Sequence, residues 1–222
     1  MTGLTALIAG ATGLVGGECL QRLLAEPRYQ SVIAVTRREL AGRPTSPKLR
    51  QLVTDFADLD GQRSGLRADH VYCALGTTMR KAGSRTEFRR IDLEIPLQLA
   101  RLARAAGASH FSVVSAVGAD RRSRFFYSRI KGELEHALID MAWPSLAIFR
   151  PSLIAGPRVE SRPLERLSGG LLRYAPSAWR PVAAADIAGG MVTLALESPP
   201  GVAIVESRAI PGRVRALRGD SG

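Results

Sequence analysis

Short apolar runs alternate with helical patterns along most of this chain. Leu4 to Gly10 (LTALIAG) reads as a strand, and Leu14 to Ala25 carries helical spacing. SVIAVT (31–36), RQLVTDF (50–56) and DHVYCAL (69–75) are the next strands. A long helix is expected from about Glu87 to Ala106, then a strand in HFSVVSA (110–116), a helix from Ser123 to Met141 and a strand in SLAIFR (145–150). The strands are rich in Val, Ile and Leu and do not alternate cleanly, as expected where both faces of a sheet are covered. Strand, helix and strand in repetition predict right-handed crossovers and an α/β fold with a doubly wound parallel sheet.

Beyond Pro151 proline and glycine become frequent, with helices expected near Leu164–Tyr174 and Asp186–Glu197. A single domain over 1–206 follows, in which 151–206 is a small substrate-side elaboration. The stretch 207–222 (SRAIPGRVRALRGDSG) reads as a basic, poorly ordered tail.

The bulk numbers agree with one globule: 222 residues, 45% of them hydrophobic. The N-terminus lacks the basic start of a signal peptide, and no apolar stretch free of glycine and charge reaches spanning length. The expectation is a cytoplasmic protein with no membrane partner. Two cysteines, Cys19 and Cys73, fall in a helix and a strand and read as core residues, not a disulfide or metal framework. His70, His110 and His136 are too scattered to form a metal site and belong at element ends or on the surface. The net charge of +11 raises the question of nucleic acid. The arginines are spread out with few aromatics among them and no nucleic-acid motif, so anionic small ligands are the better reading.

Three signals carry chemistry. The first is GATGLVG, where Gly10, Gly13 and Gly16 follow a strand and open a helix. Gly10 lets the chain turn out of the strand, Gly13 leaves room for a pyrophosphate, and Gly16 lets the helix pack on the sheet. The N–H groups near Thr12 to Val15 face an anion along a favourable helix dipole. A Walker loop is excluded, because no Gly-Lys-Ser/Thr follows. The spacing, with its first interval one residue longer than in the usual G-x-G-x-x-G fingerprint, reads as the phosphate turn of a Rossmann fold. The second signal lies at the end of the second strand. Arg37 and Arg38 stand where an acidic residue would bond the ribose of NAD; two guanidiniums suit a 2′-phosphate, so the cofactor expected is NADP(H).

The third is SRFFYSRIKGELEHAL. Tyr127 and Lys131 lie one helical turn apart on the same face. In a chain with three lysines, a chance Tyr-x-x-x-Lys match arises about one time in twenty. A compact ammonium can hold ribose hydroxyls and lower a phenol's pKa, so that Tyr127 acts as general acid or base. Ser115, at the C-terminal end of a strand, sits on the ligand-binding edge.

Together these blocks resemble the short-chain dehydrogenase/reductase superfamily, in its atypical branch near the oxidoreductase Tat-interacting protein subgroup. TRREL, TDFADLD, CALGTTMRKAGS, SHFSVVSAVGAD, FFYSRIKGELE, FRPSLIAGPRVESRP and PVAAADIA extend the likeness from about Leu7 to Asp186. The resemblance implies that Thr12, Gly13, Leu14 and Val15 hold the pyrophosphate, Arg37 and Arg38 the 2′-phosphate, Asp55 and Phe56 the adenine, and Leu75 and Gly76 the adjacent ribose. Lys131 would bind the nicotinamide ribose beside Tyr127. Pro151, Ile154 and Arg162 would close over the nicotinamide end, and Ser115 would polarise a substrate carbonyl. The superfamily's asparagine after the fourth strand is replaced by ALGTT, and the larger C-terminal domain of sugar-nucleotide epimerases is missing. Two readings follow. One is an NADPH-dependent reductase of a small carbonyl substrate, acting as monomer or homodimer. The other is an NADP(H)-binding sensor or scaffold for a protein partner, without turnover. An epimerase retaining NAD ranks third, disfavoured by the arginine pair. Trp179, Tyr174, Thr77, Arg80 and Lys81 are expected near the substrate.

Overall fold

The computed structural model describes residues 3–40, 42, 45–57, 59–155 and 181–211. Seven parallel strands form one sheet in the order β3-β2-β1-β4-β5-β6-β9. They are β1 (Leu4–Ala9), β2 (Tyr29–Thr36), β3 (Leu49–Val53), β4 (His70–Cys73), β5 (His110–Val114), β6 (Ser145–Arg150) and β9 (Gly201–Glu206). A two-residue ladder joins β7 (Ile154–Ala155) to β8 (Val182–Ala183) beyond the end of β6. The doubly wound parallel sheet is as expected. The expected helix over 164–174, the candidates Arg162, Tyr174 and Trp179, and residues 212–222 of the 207–222 tail lie outside the described residues; the start of that tail, Ser207–Ala209, forms a short 3₁₀ turn, with Ser207 and Ile210 buried.

Helices cover both faces. On one side α1 (Leu14–Ala25) and α6 (Ala184–Glu197) pack against Ala6, Ile8, Tyr72 and Phe149. On the other, α4 (Ile95–Ala105) and α5 (Phe126–Asp140) pack on Leu7, Val71, Phe111 and Ile148. β4 and β5 are buried at every position, which is why their sequences do not alternate. Each fully buried leucine or phenylalanine in these layers contributes about 1.5–3 kcal/mol of transfer free energy.

The long helix expected from Glu87 to Ala106 is more articulated. A short α2 (Met79–Ala82) comes first, then α3 (Arg85–Arg89), capped by Ser84, whose hydroxyl accepts from the Glu87 N–H at 3.0 Å. A π turn over Arg90–Glu94 leads into α4. Its cause is Pro96, which has no N–H to return to the Asp92 carbonyl; the Ile95 N–H instead reaches back to the Arg90 oxygen and the helix widens. α5 starts at Phe126 rather than Ser123, because Ser123 is held in a turn by its own N–H to the Asp120 oxygen. The residue pattern does not announce β9. Its run is short and follows two prolines, yet it pairs with β6 along its whole length.

Cys19 and Cys73 are free, fully buried thiols. His70 and His110 do open strands but are buried rather than exposed. The Tyr29 hydroxyl meets His70 Nδ1 at 2.7 Å and the Tyr72 hydroxyl at 2.5 Å. His110 lies between the hydroxyls of Ser145 (2.8 Å) and Ser112 (2.7 Å), so both its ring nitrogens are engaged while it is neutral. Burial pushes the His110 pKa down to about 3. In the unfolded chain it titrates near 6.5, so between those values the unfolded state holds the extra proton. Acidification below pH 6.5 therefore weakens the fold, by at most ~1.4 kcal/mol per pH unit for this group, and the full stability is present above it. Urea midpoints at pH 7 and pH 5 should differ, with the lower one at pH 5, and His110→Asn should narrow the gap. An unchanged gap would assign the acid sensitivity elsewhere.

Candidate cofactor and active site

The C-terminal ends of all seven strands lie on one edge, and the turn after β1 is its centre. Gly10 sits at φ +92, a left-handed conformation that favours glycine. A Cβ there would lie 2.5 Å from the Ala74 carbonyl oxygen. One on Gly16 would drive into the Gly10 carbonyl, because α1 starts directly against the turn. Gly13 differs. Among the described residues a Cβ on it would meet only the Gly10 oxygen, at 3.3 Å, which leaves its outer side open. The first turn of α1 has no acidic side chain and no side-chain cap. An open backbone cradle at an uncapped helix N-terminus fits a pyrophosphate. Thr12 and Gly13 are exposed there, Leu14 is half-buried, and Val15 is buried and anchors the helix.

To one side lies the end of β2. Arg37 and Arg38 are exposed, next to the buried Thr36, whose hydroxyl has no hydrogen-bond partner among the described residues. The Thr54 N–H donates to the Thr36 oxygen at 2.8 Å, which brings Asp55 and Phe56 beside the arginine pair. Phe56 is buried at φ +66, a strained conformation for a bulky residue, and the Asp55 carboxylate accepts from the Ala57 N–H at 2.8 Å. Both lie on the arginine side of the glycine turn, beyond the C-terminal end of β3. On the other side of the glycine turn, Leu75 and Gly76 leave β4 against Gly10.

Next to this lies a buried ion pair built on an aspartate that the sequence pattern does not mark. Asp92, in the π turn, is 1% exposed, and its Oδ1 lies 2.7 Å from Lys131 Nζ, itself in a residue only 3% exposed. Asp92 Oδ2 accepts from the Thr77 N–H at 2.8 Å. One carboxylate thus ties the loop after β4 to α5. Burial works against the Lys131 ammonium, but the Asp92 carboxylate outweighs it, and the lysine pKa is held above its ordinary value. The signal available was an aspartate on the inward stripe of an amphipathic helix, four residues before a proline. Tyr127, one turn before Lys131, is 42% exposed, and its ring packs against Phe88 with centroids 5.7 Å apart.

Ser115 directly follows β5, with its hydroxyl already engaged. It is buried, and its hydroxyl donates to Glu135 Oε1 at 2.5 Å. Glu135 is gripped by Arg150, with Nη2 to Oε2 at 2.6 Å and Nε to Oε1 at 3.0 Å, and Arg150 also reaches Glu206 at 2.9 Å. The single hydroxyl proton of Ser115 is committed to that hydrogen bond. Pro151 is buried just after Arg150, and its carbonyl accepts from the Val117 N–H at 3.0 Å, joining the ends of β5 and β6. Ile154 is half-buried in β7. Among the described residues no cluster of His, Cys, Asp or Glu could hold a metal ion.

Comparison with known proteins gives the wider setting. Residues 6–167 match the model of the NAD dependent epimerase/dehydratase family. Protein HTATIP2 of Rattus norvegicus is 36% identical over 174 residues, covering 78% of this chain and 72% of that protein. The mitochondrial protein fmp52 of Emericella nidulans is 36% identical over 166 residues, covering 72% of this chain and 71% of that one. The solved structure of MoeE5 in complex with UDP-glucuronic acid and NAD superposes with a TM-score of 0.72 at 19% identity, over 97% of this chain and 82% of that one; it shows the shared fold. The fungal names correct one expectation. Like-named relatives from two further fungi are also called mitochondrial, so a cytoplasmic location does not stand. No described helix is long and apolar enough to cross a membrane.

Proposed function

Because the chain belongs to the NAD dependent epimerase/dehydratase family, we propose that it is an NADP(H)-dependent reductase of a small carbonyl compound. The observation that carries the choice of cofactor is the end of β2, where two exposed arginines stand in place of an acid. Arg37 and Arg38 would take the 2′-phosphate, Thr12 to Val15 the pyrophosphate, Asp55 and Phe56 the adenine, and Leu75 and Gly76 the adjoining ribose. When bound, the nicotinamide supplies a hydride to the carbonyl carbon. The chain's own residues do the rest. Lys131, kept charged and oriented by Asp92, would hold the nicotinamide ribose, with Pro151 and Ile154 flanking it. Tyr127 would give the proton to the carbonyl oxygen. Ser115 would accept from substrate, or donate only on releasing Glu135, so carbonyl polarisation falls mainly to Tyr127.

That same engagement of Ser115 favours a second reading, an NADP(H)-binding sensor or scaffold for a protein partner, without significant turnover. Calorimetry with NADPH and NADH, together with a carbonyl panel, separates them. Wild type should prefer NADPH, and Arg37→Ala with Arg38→Ala should lower NADPH affinity about 100-fold while leaving NADH nearly unchanged. Tyr127→Phe should lower turnover about 100- to 10,000-fold. NADPH binding without turnover of any carbonyl would favour the sensor. Equal affinity for both coenzymes would remove the arginines from the selection.

A further inference from the structure

The C-terminal edge of the sheet carries two groups of cations, and only one lies on the adenine side. Arg37 and Arg38 follow β2. A second group follows β4 and β5, on the opposite side of the glycine turn. Arg80 and Lys81 are exposed on α2 beside Met79, which is 40% exposed. Arg122 and Arg124 are exposed in the connection from β5 to α5, beside Phe125, which is 79% exposed.

That connection is a built knuckle. The Asp120 N–H donates to the Ser128 oxygen at 3.0 Å, and the Arg122 N–H to Asp120 Oδ1 at 2.8 Å. Arg129 Nη1 reaches the Ser123 oxygen at 3.0 Å, and the Phe125 N–H reaches Ser123 Oγ at 3.2 Å. Gly132 lets the backbone of Asp120 and Arg121 lie directly on α5, where any Cβ would collide with it. The backbone is pinned, yet among the described residues the side chains of Arg122, Arg124, Arg80 and Lys81 have no ion pair or hydrogen bond. An exposed phenylalanine directly after two unpaired arginines costs hydration free energy and like-charge repulsion, and a loop pinned by these hydrogen bonds cannot relieve either by collapsing.

We infer that the knuckle and α2 form two banks of a site for an aliphatic phosphate, a phosphate ester carrying a hydrocarbon chain. A phosphate with close to two negative charges suits several unpaired cations with bidentate guanidiniums among them, and Phe125 and Met79 offer the chain an apolar wall. The inference rests on the reductase reading and names its substrate class, since Tyr127 follows Phe125 by two residues and the reacting carbonyl would lie on the same molecule.

Octyl phosphate, octanol and inorganic phosphate, each titrated calorimetrically into NADPH-saturated protein, test it. Octyl phosphate should bind at least tenfold tighter than either of the others. Phe125→Ser, and Arg122→Ser with Arg124→Ser, should each weaken it about tenfold or more while NADPH affinity stays unchanged. Cosedimentation with phosphatidylcholine vesicles containing about one-fifth phosphatidic acid distinguishes the source. Vesicle capture lost in the same variants assigns a lipid headgroup, and octyl phosphate binding without capture assigns a free amphiphile. Octyl phosphate no tighter than inorganic phosphate together with no vesicle capture, or variants indistinguishable from wild type, would overturn the site. Failure of wild type to bind NADPH would overturn the reductase reading instead, whatever octyl phosphate does.

Discussion

Lys131→Met is expected to destabilise the fold by about 3–5 kcal/mol, beyond any loss of activity, because it strands the Asp92 carboxylate in the interior. Asp92 is held between Lys131 Nζ and the Thr77 N–H, with almost no access to water. Asp92→Asn should also destabilise, by leaving a buried ammonium with only a neutral partner. The pair removed together, as Asp92→Leu with Lys131→Met, should recover most of the stability, since burying two charges costs about as much as their attraction returns. That double variant should still fail to turn over a carbonyl, which separates the structural share of Lys131 from its chemical one. Lys131 has a raised pKa in the folded state, so its stabilisation is fully present below the ordinary lysine range and is lost only as pH climbs past it. Urea unfolding of the two single variants and the double variant measures the coupling. Single variants each within about 1 kcal/mol of wild type, with no coupling, would deny the pair its place as the tie between β4 and α5.

Gly16→Ala and Gly13→Ala should fail in different ways. At Gly16 the added methyl has to displace the Gly10 carbonyl, which is itself held by the Gly13 N–H at 2.9 Å. The cost should be about 1–3 kcal/mol of stability, with NADPH binding lost as the turn shifts. At Gly13 the methyl needs only a few tenths of an ångström from one neighbour and then stands on the open side of the cradle. Thermal unfolding should move little, while NADPH affinity should fall about 100-fold or more, because the methyl would occupy the approach proposed for the phosphate. Melting curves with and without NADPH separate the two outcomes. A Gly13→Ala protein that binds NADPH as wild type does would place the pyrophosphate elsewhere.

Much of the frame was legible in the residue pattern for a physical reason: long-range structure here follows local rules. α1 and β6 have the bounds their apolar spacing implies, Leu14–Ala25 and Ser145–Arg150. The roles of Gly10 and Gly16 in turning and packing appear in their geometry. What was not legible depends on partners distant in sequence. Asp92 looks like one acid among many until Pro96 opens the π turn and Lys131 arrives from α5. Glu135 carries no local mark of its bond to Ser115, or of the Arg150 fork that fixes it. The left-handed Phe56 has no glycine to announce it. β9 escapes notice because six residues after a proline pair are too few to show a period.

The placement of β9 also bears on how the molecule is assembled. Its partner β6 lies far upstream, with Ser145 opposite Gly201 and Arg150 opposite Glu206. As in every other ladder of this all-parallel sheet, the two strands are joined by a crossover and not by a hairpin. Such non-local closures are slow, because chain entropy has to be lost before any contact rewards it. Until β9 docks, the outer rim of β6 offers open backbone and apolar side chains to any neighbouring chain, so a stalled or crowded folding reaction is most exposed to aggregation at that rim.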